Sequence, residues 1–525
     1  MSDAYASTIV TEESSLFDRF AKGALGLAVG AFLLSMATLF QFVTLDVRAA
    51  GIALTTLFGL ALLGGGLVVA SLGIVSRYAA IGTTPDATAG LSAGLAFGGF
   101  VSVVVVPHLV GAVLGFSGIS WLVVTLVGVV AGTALLGVTV VLPREDLGST
   151  LPPATVTTVV GIVLTVGAID PGWGWDPTSL VGGFTAAGVV PLLVGGTSLL
   201  LGWSAAKTYG GFGAKGRELG AYFSIYVTAY AMLGVMVLIV GFVVQKGARY
   251  ALRGLGISGS FPFVEIPFVM HSYIPLSDKI NGILPAIVGT AWLVVGATIF
   301  AVPLGVGAAV FLTEYAEQGR FTLVVETATN ALWSTPSIVF GLFGYAFLLP
   351  RVSGNDQSLL AGMLVLGFML LPLVLITSRE AIKSVPDAYR DASAALGVSK
   401  WQTVRSVVLP AAVPGIITGA ILGIGRIAGE TAPLLLVLGS QLNAMAPTKL
   451  FAFTGAPPFV SLRIEEGLLA STSALPTQIW AVISHGVSGP MEKGWGTAFV
   501  LLALVLTFYA IGISGRLYFR RKLDE

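Results

Sequence analysis

The sequence predicts an all-α integral membrane protein with about twelve transmembrane helices, and three observations predict it. Of the 525 residues, 55% are hydrophobic and only 10% are charged, whereas a soluble domain carries roughly a quarter charged residues to keep its surface wet. The mean hydropathy is +0.93. The apolar residues also gather in runs of about 20, the length that crosses about 30 Å of hydrocarbon, and these runs do not alternate as barrel strands would. A soluble enzyme is therefore excluded. The absence of cysteine excludes a disulfide framework and any thiolate metal or redox site, and a formal net charge of +1 argues against a nucleic-acid binder, which would show a basic face to match phosphates.

In chain order the runs are Ala24–Val43, Gly51–Val75, Ala89–Leu114, Ser120–Leu142, Pro153–Ile169 and Leu180–Trp203. After a polar stretch with Lys207, Lys215, Arg217 and Glu218 come Tyr222–Val244, Leu284–Leu312, Thr327–Leu349, Leu359–Ile376, Ala411–Leu438 and Thr497–Leu517. Pro153–Ile169 is short for a span. Lys and Arg are retained in cytoplasmic loops, and with the N-terminus inside they concentrate there: Arg19 and Lys22, Arg77, Arg144, Lys207 to Arg217, Arg320, Arg379 to Arg405 and Arg516 to Lys522. An even number of spans then places both termini in the cytoplasm. The start of the chain is acidic, with Glu12 and Glu13, and lacks the basic opening of a signal peptide, so the first run reads as an uncleaved span.

The two parts of the chain differ. Residues 1–215 form a membrane region of about six spans with short connections and almost no intramembrane charge. Residues 216–525 hold long loops at Gln245–Ile283 and Gly439–Gly496 and a charged inner loop at Thr377–Pro410. In that inner loop, Pro386 suits the first position of a short helix and Gly397 its left-handed exit. Ser399 and Gln402 stand at capping-box spacing for a second helix, which Pro410 is expected to end. Small residues Ala392, Ser393, Ala394 and Ala395 on the first piece suit being gripped by another surface. An ordinary solvated loop is the alternative.

The other concentration of charge is Arg426-Ile-Ala-Gly-Glu430-Thr431-Ala-Pro433, inside a span. Arg426 comes about 15 residues after that span begins, roughly 22 Å along a helix. A charge at the centre of a membrane helix costs about 2.5–3.5 kcal/mol on insertion scales, so this pair faces protein or water. Residues four apart share a face, so Arg426 and Glu430 can reach one another or one bound ion. A structural ion pair is one reading and an anion station the other. Guanidinium offers a planar fork matched to two oxygens of an oxyanion. The carboxylate repels a fully ionised anion yet accepts a hydrogen bond from a protonated oxygen, which hydrogen phosphate has and sulfate at neutral pH lacks. Ser334, Thr335 and Ser337 around Pro336 can add hydroxyls where proline loosens the backbone.

These residues carry a family resemblance. Asp391-Ala392-Ser393, three residues, Gly397, nine residues, then Val407-Val408-Leu409-Pro410 resembles the EAA loop of ABC importer permeases, Glu-Ala-Ala, three residues, Gly, nine, Ile, any, Leu-Pro, with Asp, Ser and Val as mild replacements. The run from Arg426 to Pro433 resembles the Arg-Ile-Ala-Gly-Glu-Thr-Ala-Pro signature of the PstA family of phosphate ABC importer permeases. Pro336-Ser-Ile-Val-Phe-Gly-Leu-Phe343 and Asn281-Gly-Ile-Leu-Pro-Ala-Ile-Val-Gly-Thr290 follow that family in its order. The resemblance covers the chain from about Tyr222 onward and implies a type I ABC importer permease fold for the last six spans. It further implies a PstC-like sister permease, PstB-like ATPase subunits, a PstS-like phosphate-binding protein, and phosphate as substrate. Under it, Asp391, Ala392, Ser393, Gly397, Leu409 and Pro410 form the ATPase-coupling element, and Arg426, Glu430, Thr431, Ser334, Thr335 and Ser337 line the substrate path. The first 215 residues have no counterpart in it.

The remaining motifs are minor. Gly415, Gly419 and Gly423, and likewise Gly26 and Gly30, recur every four residues and read as close helix packing. Gly211-x-Gly213-x-x-Gly216 fits a dinucleotide fingerprint literally but follows no strand, so it is rejected. His108, His271 and His485 are scattered, which disfavours a metal. No Walker A motif is present, so ATP is expected to be used by a partner, and neither a cofactor nor a catalytic residue is expected here. Trp480, His485 and Lys493 in the last outer loop suit contact with an external binding protein. The rival readings are an importer of the same class for another oxyanion, an ion-coupled secondary carrier, and a non-transporting membrane sensor.

Overall fold

A computed structural model describes residues 16–78, 83–114, 121–142, 144–176, 183–257, 263–272, 282–317, 319–439, 451–454, 461–464, 466–485 and 491–524. It is helical, and among the described residues eleven helices are long and apolar enough to cross a membrane, or twelve if one sharply bent pair is a single span. The chain divides into two compact units, Met1–Leu238 and Ile239–Glu525.

The first unit holds α1 (Leu16–Leu39), α2 (Leu54–Tyr78), α3 (residues 91–114), α4 (Trp121–Val141), α5 (Glu145–Val166), α6 (Ala186–Tyr209) and the start of α7 (Gly213–Ala251). Its plan repeats. Helix α1 is joined to α2 by an antiparallel hairpin of β1 (Arg48–Ala49) and β2 (Ile52–Ala53), and α5 to α6 by one of β3 (Gly174–Trp175) and β4 (Phe184–Thr185), with Arg48 opposite Ala53 and Gly174 opposite Thr185. Helix α1 packs on α6 and α2 on α5, around a core that includes Phe58, Leu62, Val160, Leu164 and Leu193. Lipid is as apolar as leucine, so close approach through small residues holds such helices together. Gly161 illustrates it: a Cβ there would lie 2.7 Å from the Leu63 backbone nitrogen. Gly26 and Gly30, expected to pack in the same way, meet nothing within 4 Å among the described residues. Helix α1 instead buries the alanine stripe Ala21, Ala24, Ala28 and Ala31.

The short fifth run is a full-length helix. Helix α5 begins at Glu145, eight residues before the apolar run, because the Glu145 carboxylate that opens it is matched inside the protein. Glu145 and Asp146 are fully buried. Lys207 Nζ, also buried, lies 2.7 Å from Glu145 Oε1 and donates to Ser149 Oγ at 2.9 Å. The backbone nitrogens of Asp86 and Gly213 both donate to Glu145 Oε2 at 2.9 Å. Gly213, from the rejected fingerprint, thus serves a tight turn, with φ +59°. Pro153, inside the helix, has no N–H for the carbonyl of Ser149 four residues earlier, and that carbonyl accepts from Ser204 Oγ at 2.6 Å.

The second unit continues with the hairpin β5 (Gly256–Ile257) and β6 (Val264–Glu265), α8 (Leu284–Tyr315), α9 (Arg320–Ser334), α10 (Ser337–Val352), α11 (Leu359–Lys383), α12 (Asp387–Ala395), α13 (Lys400–Ala428) and α14 (Ala432–Val437). After the hairpin β7 (Phe451–Thr454) and β8 (Ser461–Ile464), paired from Phe451 with Ile464, come α15 (Leu475–His485) and α16 (Met491–Asp524). The core lies where α8 and α11 meet, with Leu293, Ala297, Ala301, Val365, Leu370 and Val374.

Three expectations change here. The span Thr327–Leu349 is broken into α9 and α10, bent by 101° at Thr335 and Pro336. The span Ala411–Leu438 stops at Ala428 and resumes as α14. Pro410 does not end a helix, because α13 runs through it. A wide π-type turn at Val404–Val408 comes first, in which Leu409 N–H reaches Val404 O. The same turn precedes Pro107, at Val101–Val105, and Pro350, at Gly344–Leu348. A proline in an unbroken helix presses its ring on the carbonyl four residues back, and the wider turn supplies the room, as such bulges do where a helix is perturbed.

Helices α11 and α13 run antiparallel in close contact. The Gly415, Gly419 and Gly423 stripe faces α11, with Gly415 against Ala381, Gly419 against Thr377 and Gly423 against Leu370. Arg379, read from sequence as loop, lies inside α11.

Replacing Lys207 with Met leaves the Glu145 carboxylate buried without its ammonium partner, a change that costs about 3 kcal/mol or more when a buried pair is broken on one side. Thermal unfolding in detergent is expected to fall clearly for Lys207→Met and to recover for Lys207→Met with Glu145→Gln. Equal destabilisation in both variants would rule out the charge as the cause.

Candidate functional site

The Arg–Glu run within the span lies where a helix stops. Gly429 and Glu430 close the end of α13 with bonds from Gly429 N to Arg426 O and from Glu430 N to Ile427 O, both 3.3 Å. Pro433 then opens α14, a position where its missing N–H costs nothing. Arg426 occupies the last turn of α13, where a cation meets the negative end of the helix dipole. Glu430 is outside the helix, so the pair is not set by helical spacing, yet Arg426 Nε and Glu430 Oε1 are 3.9 Å apart. The Arg426 side chain is 42% exposed and that of Glu430 18%. The guanidinium therefore keeps most of its donors open beside a half-sheltered carboxylate. Among the described residues, Thr431 Oγ1 makes only a long contact to Gly429 O at 3.5 Å.

The second broken span comes to the same place. Helix α10, which starts at Ser337, packs on α14, and a Cβ on Gly341 would lie 2.6 Å from Pro433 Cα. Only glycine allows that approach, and it holds the Pro336 break close to the segment that follows Thr431. Ser334 Oγ and Thr335 Oγ1 both donate to Ala331 O, at 3.0 and 2.8 Å, and stay available as acceptors. Thr335 also lines a cavity of about 400 Å³ whose other walls are Leu332, Val339, Phe340, Phe343, Phe368, Leu371 and Pro372.

The charged loop is ordered as its residues require. Helix α12 ends in a Schellman turn: Gly397 N donates to Ala394 O at 2.9 Å and Val398 N to Ser393 O at 3.2 Å, with Gly397 at φ +71°. Ser399 and Gln402 form the capping box. Asp391 and Ala392 face outward, whereas Ser393 is turned in and donates to Tyr389 O at 3.0 Å. Leu409 and Pro410 are half-buried within α13. Tyr389, Leu396 and Trp401 present apolar surface, Leu396 at 82% exposure.

What fixes this loop was not visible in the sequence. Arg390 donates to Glu314 through Nε at 3.1 Å and Nη2 at 2.8 Å, and its guanidinium also reaches Val385 O and Ile382 O. Hydrogen bonding to Glu314 raises its pKa above the ordinary arginine value. Glu314 stands at the end of an apolar span, 76 residues away, and no local spacing links the two. A further pair, Glu326 of α9 with Arg379 of α11, was missed for the same reason. Of the residues expected to meet a binding protein, Trp480 is exposed but Lys493 is fully buried, and the His485 side chain lies outside the described residues.

The family model described as "Binding-protein-dependent transport system inner membrane component" matches residues 301–523. The probable ABC transporter permease protein YqgI of Bacillus subtilis is 33% identical over 241 residues, 45% of this chain and 79% of that protein. This chain belongs to the binding-protein-dependent ABC transporter permeases. The phosphate transport system permease protein PstA of Haemophilus influenzae is 30% identical over 266 residues, 51% of this chain and 85% of that protein. PstA 1 of Mycobacterium tuberculosis H37Rv is 34% identical over 227 residues, 43% and 67% respectively. Among solved structures, an inward-facing MetNI methionine ABC transporter chain aligns at 16% identity with a TM-score of 0.35, over 45% of this chain and 95% of that one. Arg426, Glu430 and the α12 loop all fall inside the family match.

Glu314→Gln is expected to free α12 without altering its caps. Hydrogen exchange at the amides of 387–397 should rise about tenfold, as the loss of a hydrogen bond to a charged group implies. Unchanged exchange there would remove Glu314 as the anchor.

Proposed function

We propose that this permease conducts phosphate inward as one transmembrane subunit of an ATP-driven importer. The observation that carries the reading is the open guanidinium of Arg426 beside Glu430 at a helix break, within a span and 3.9 Å apart. An oxyanion takes two oxygens to the fork, and Glu430 accepts from the proton that hydrogen phosphate retains. Relatives named as phosphate transport permeases support the same substrate.

The partners follow from what the chain leaves open. A guanidinium exposed within a span cannot face lipid, so a PstC-like sister permease covers it and completes the path. Loop 384–401, with exposed Tyr389, Leu396 and Trp401, docks on PstB-like ATPase subunits, which hydrolyse ATP; Asp391, Ala392 and Gly397 form its contact edge. A PstS-like protein delivers phosphate from the opposite side. The Lys/Arg-rich loops and both termini face the cytoplasm, in the plasma membrane. Transport is assigned to residues 216–525, and the first 215 form an accessory membrane region.

Reconstitution with these partners and labelled phosphate tests the reading. Uptake is expected to require ATP and to fall about tenfold or more in Arg426→Gln, the loss of a charge-assisted hydrogen bond. Uptake that ignores ATP, or is unchanged in that variant, would sink it. Glu430→Gln removes the carboxylate that repels a fully ionised anion, so sulfate should compete with phosphate better than in the wild type. Unaltered competition would remove Glu430 from selectivity.

A further inference from the structure

Phosphate that passes Arg426 still has to leave the membrane, and the interior offers a second arginine on the way. A polar cavity of about 180 Å³ lies between α9 and α11, lined by Glu326, Thr329, Asn330, Leu375, Ile376, Arg379 and Glu380. We propose that this cavity is a second oxyanion station, on the cytoplasmic side of Arg426, from which hydrogen phosphate is released. The proposal rests on the phosphate reading above.

Depth is the first argument. Gly415 faces Ala381 and Gly419 faces Thr377, so Arg379 stands level with residue 417 of α13. Arg426 is nine residues further along that helix, a separation of about 14 Å along the axis at 1.5 Å per residue. Arg379 is four residues from the end of α11 that leads into the ATPase-docking loop. The two arginines therefore mark two depths of one helix pair.

The second argument is the surface between them. Glu326, Asn330 and Ser334 stand at i, i+4 and i+8 on α9, one polar stripe about 12 Å long. It starts in the cavity and ends at the Pro336 break, beyond which α10 packs beside Pro433 and the end of the Arg426 segment. The stripe spans the same interval as the arginines.

The third is the chemistry of Arg379. Its Nη2 donates to Glu326, while Nε is buried with no hydrogen-bond partner among the described residues. A buried unmatched donor is costly, and an oxyanion oxygen would satisfy it. Thr329 is committed to Val325 O at 2.7 Å, so Arg379 and the Asn330 amide supply the donors. Taking about 30 Å³ for each water, the cavity has room for a tetrahedral anion with some of its hydration. Glu326 is a built-in competitor: an arriving anion displaces it, and it reclaims the guanidinium as the anion leaves. A station that must release needs weak binding of that kind.

Arginine labelling tests this on the assembled transporter in nanodiscs. Phenylglyoxal modification of Arg379 is followed by mass spectrometry in inorganic phosphate or in chloride. Phosphate is expected to slow modification at Arg379 about threefold or more in the wild type and in Arg426→Gln. Glu326→Gln should increase the protection, because the competitor is gone; a merely structural pair gives no phosphate dependence in either background. Uptake by Arg379→Gln should fall while ATP hydrolysis persists, with partial rescue in Arg379→Lys. Equal labelling of Arg379 with and without phosphate, in the wild type and Glu326→Gln, overturns the second station even while uptake continues. Absence of wild-type phosphate uptake, with Arg426 also unprotected, overturns the phosphate reading and this inference together.

Discussion

Every polar group in a membrane-spanning segment must be satisfied by protein or by a water-lined path, and the rest of this structure follows from that constraint. The matching is seen group by group. The carboxylate of Glu145 receives an ammonium and two backbone N–H groups. The carbonyl of Ser149, deprived of its helical partner by Pro153, receives the Ser204 hydroxyl. Glu314 receives Arg390. Against that background Arg426 stands out, because most of its fork is still open, and an open fork within a span calls for a ligand or a partner.

The two broken spans share one construction. Each interrupts an apolar helix at a proline-containing segment, and each leaves polar residues at the interruption: Ser334, Thr335 and Ser337 in one, Arg426, Glu430 and Thr431 in the other. Non-helical backbone at membrane depth is tolerated where it lines a cavity or is buried in protein. Gly341 against Pro433 holds the breaks together, so residues about 90 positions apart in sequence share one locale.

Much of this was legible in the sequence for plain reasons. Apolar runs of membrane length mark the spans, and the Schellman glycine and capping box mark the loop helices because they act within five residues. The misses occurred where the partner is distant. Helix α5 looked short because its first turn is charged, and nothing nearby shows that Lys207 neutralises it. The broken spans read as continuous because hydropathy does not register a 101° bend. The glycine pairs looked alike, yet Gly419 meets α11 while Gly26 meets nothing, a difference that depends on the neighbouring helix. The repeated helix–hairpin–helix plan of the first unit is carried by geometry more than by shared residues.

The wide turns before Pro107, Pro350 and Pro410 have a consequence for rotational phase. Each inserts one residue beyond the regular helical count, and a residue is worth about 100° about the helix axis. The wide turn at Val404–Val408 absorbs that residue locally, so losing one residue there would restore regular winding and press Pro410 into the preceding turn, while the helix downstream kept its phase. The same number of residues wound as an unbroken α-helix would instead carry the glycine stripe off α11 and Arg426 away from the break by nearly a third of a revolution. The wide turn thus lets the segment carry one residue more than a regular helix without changing the direction in which the arginine points.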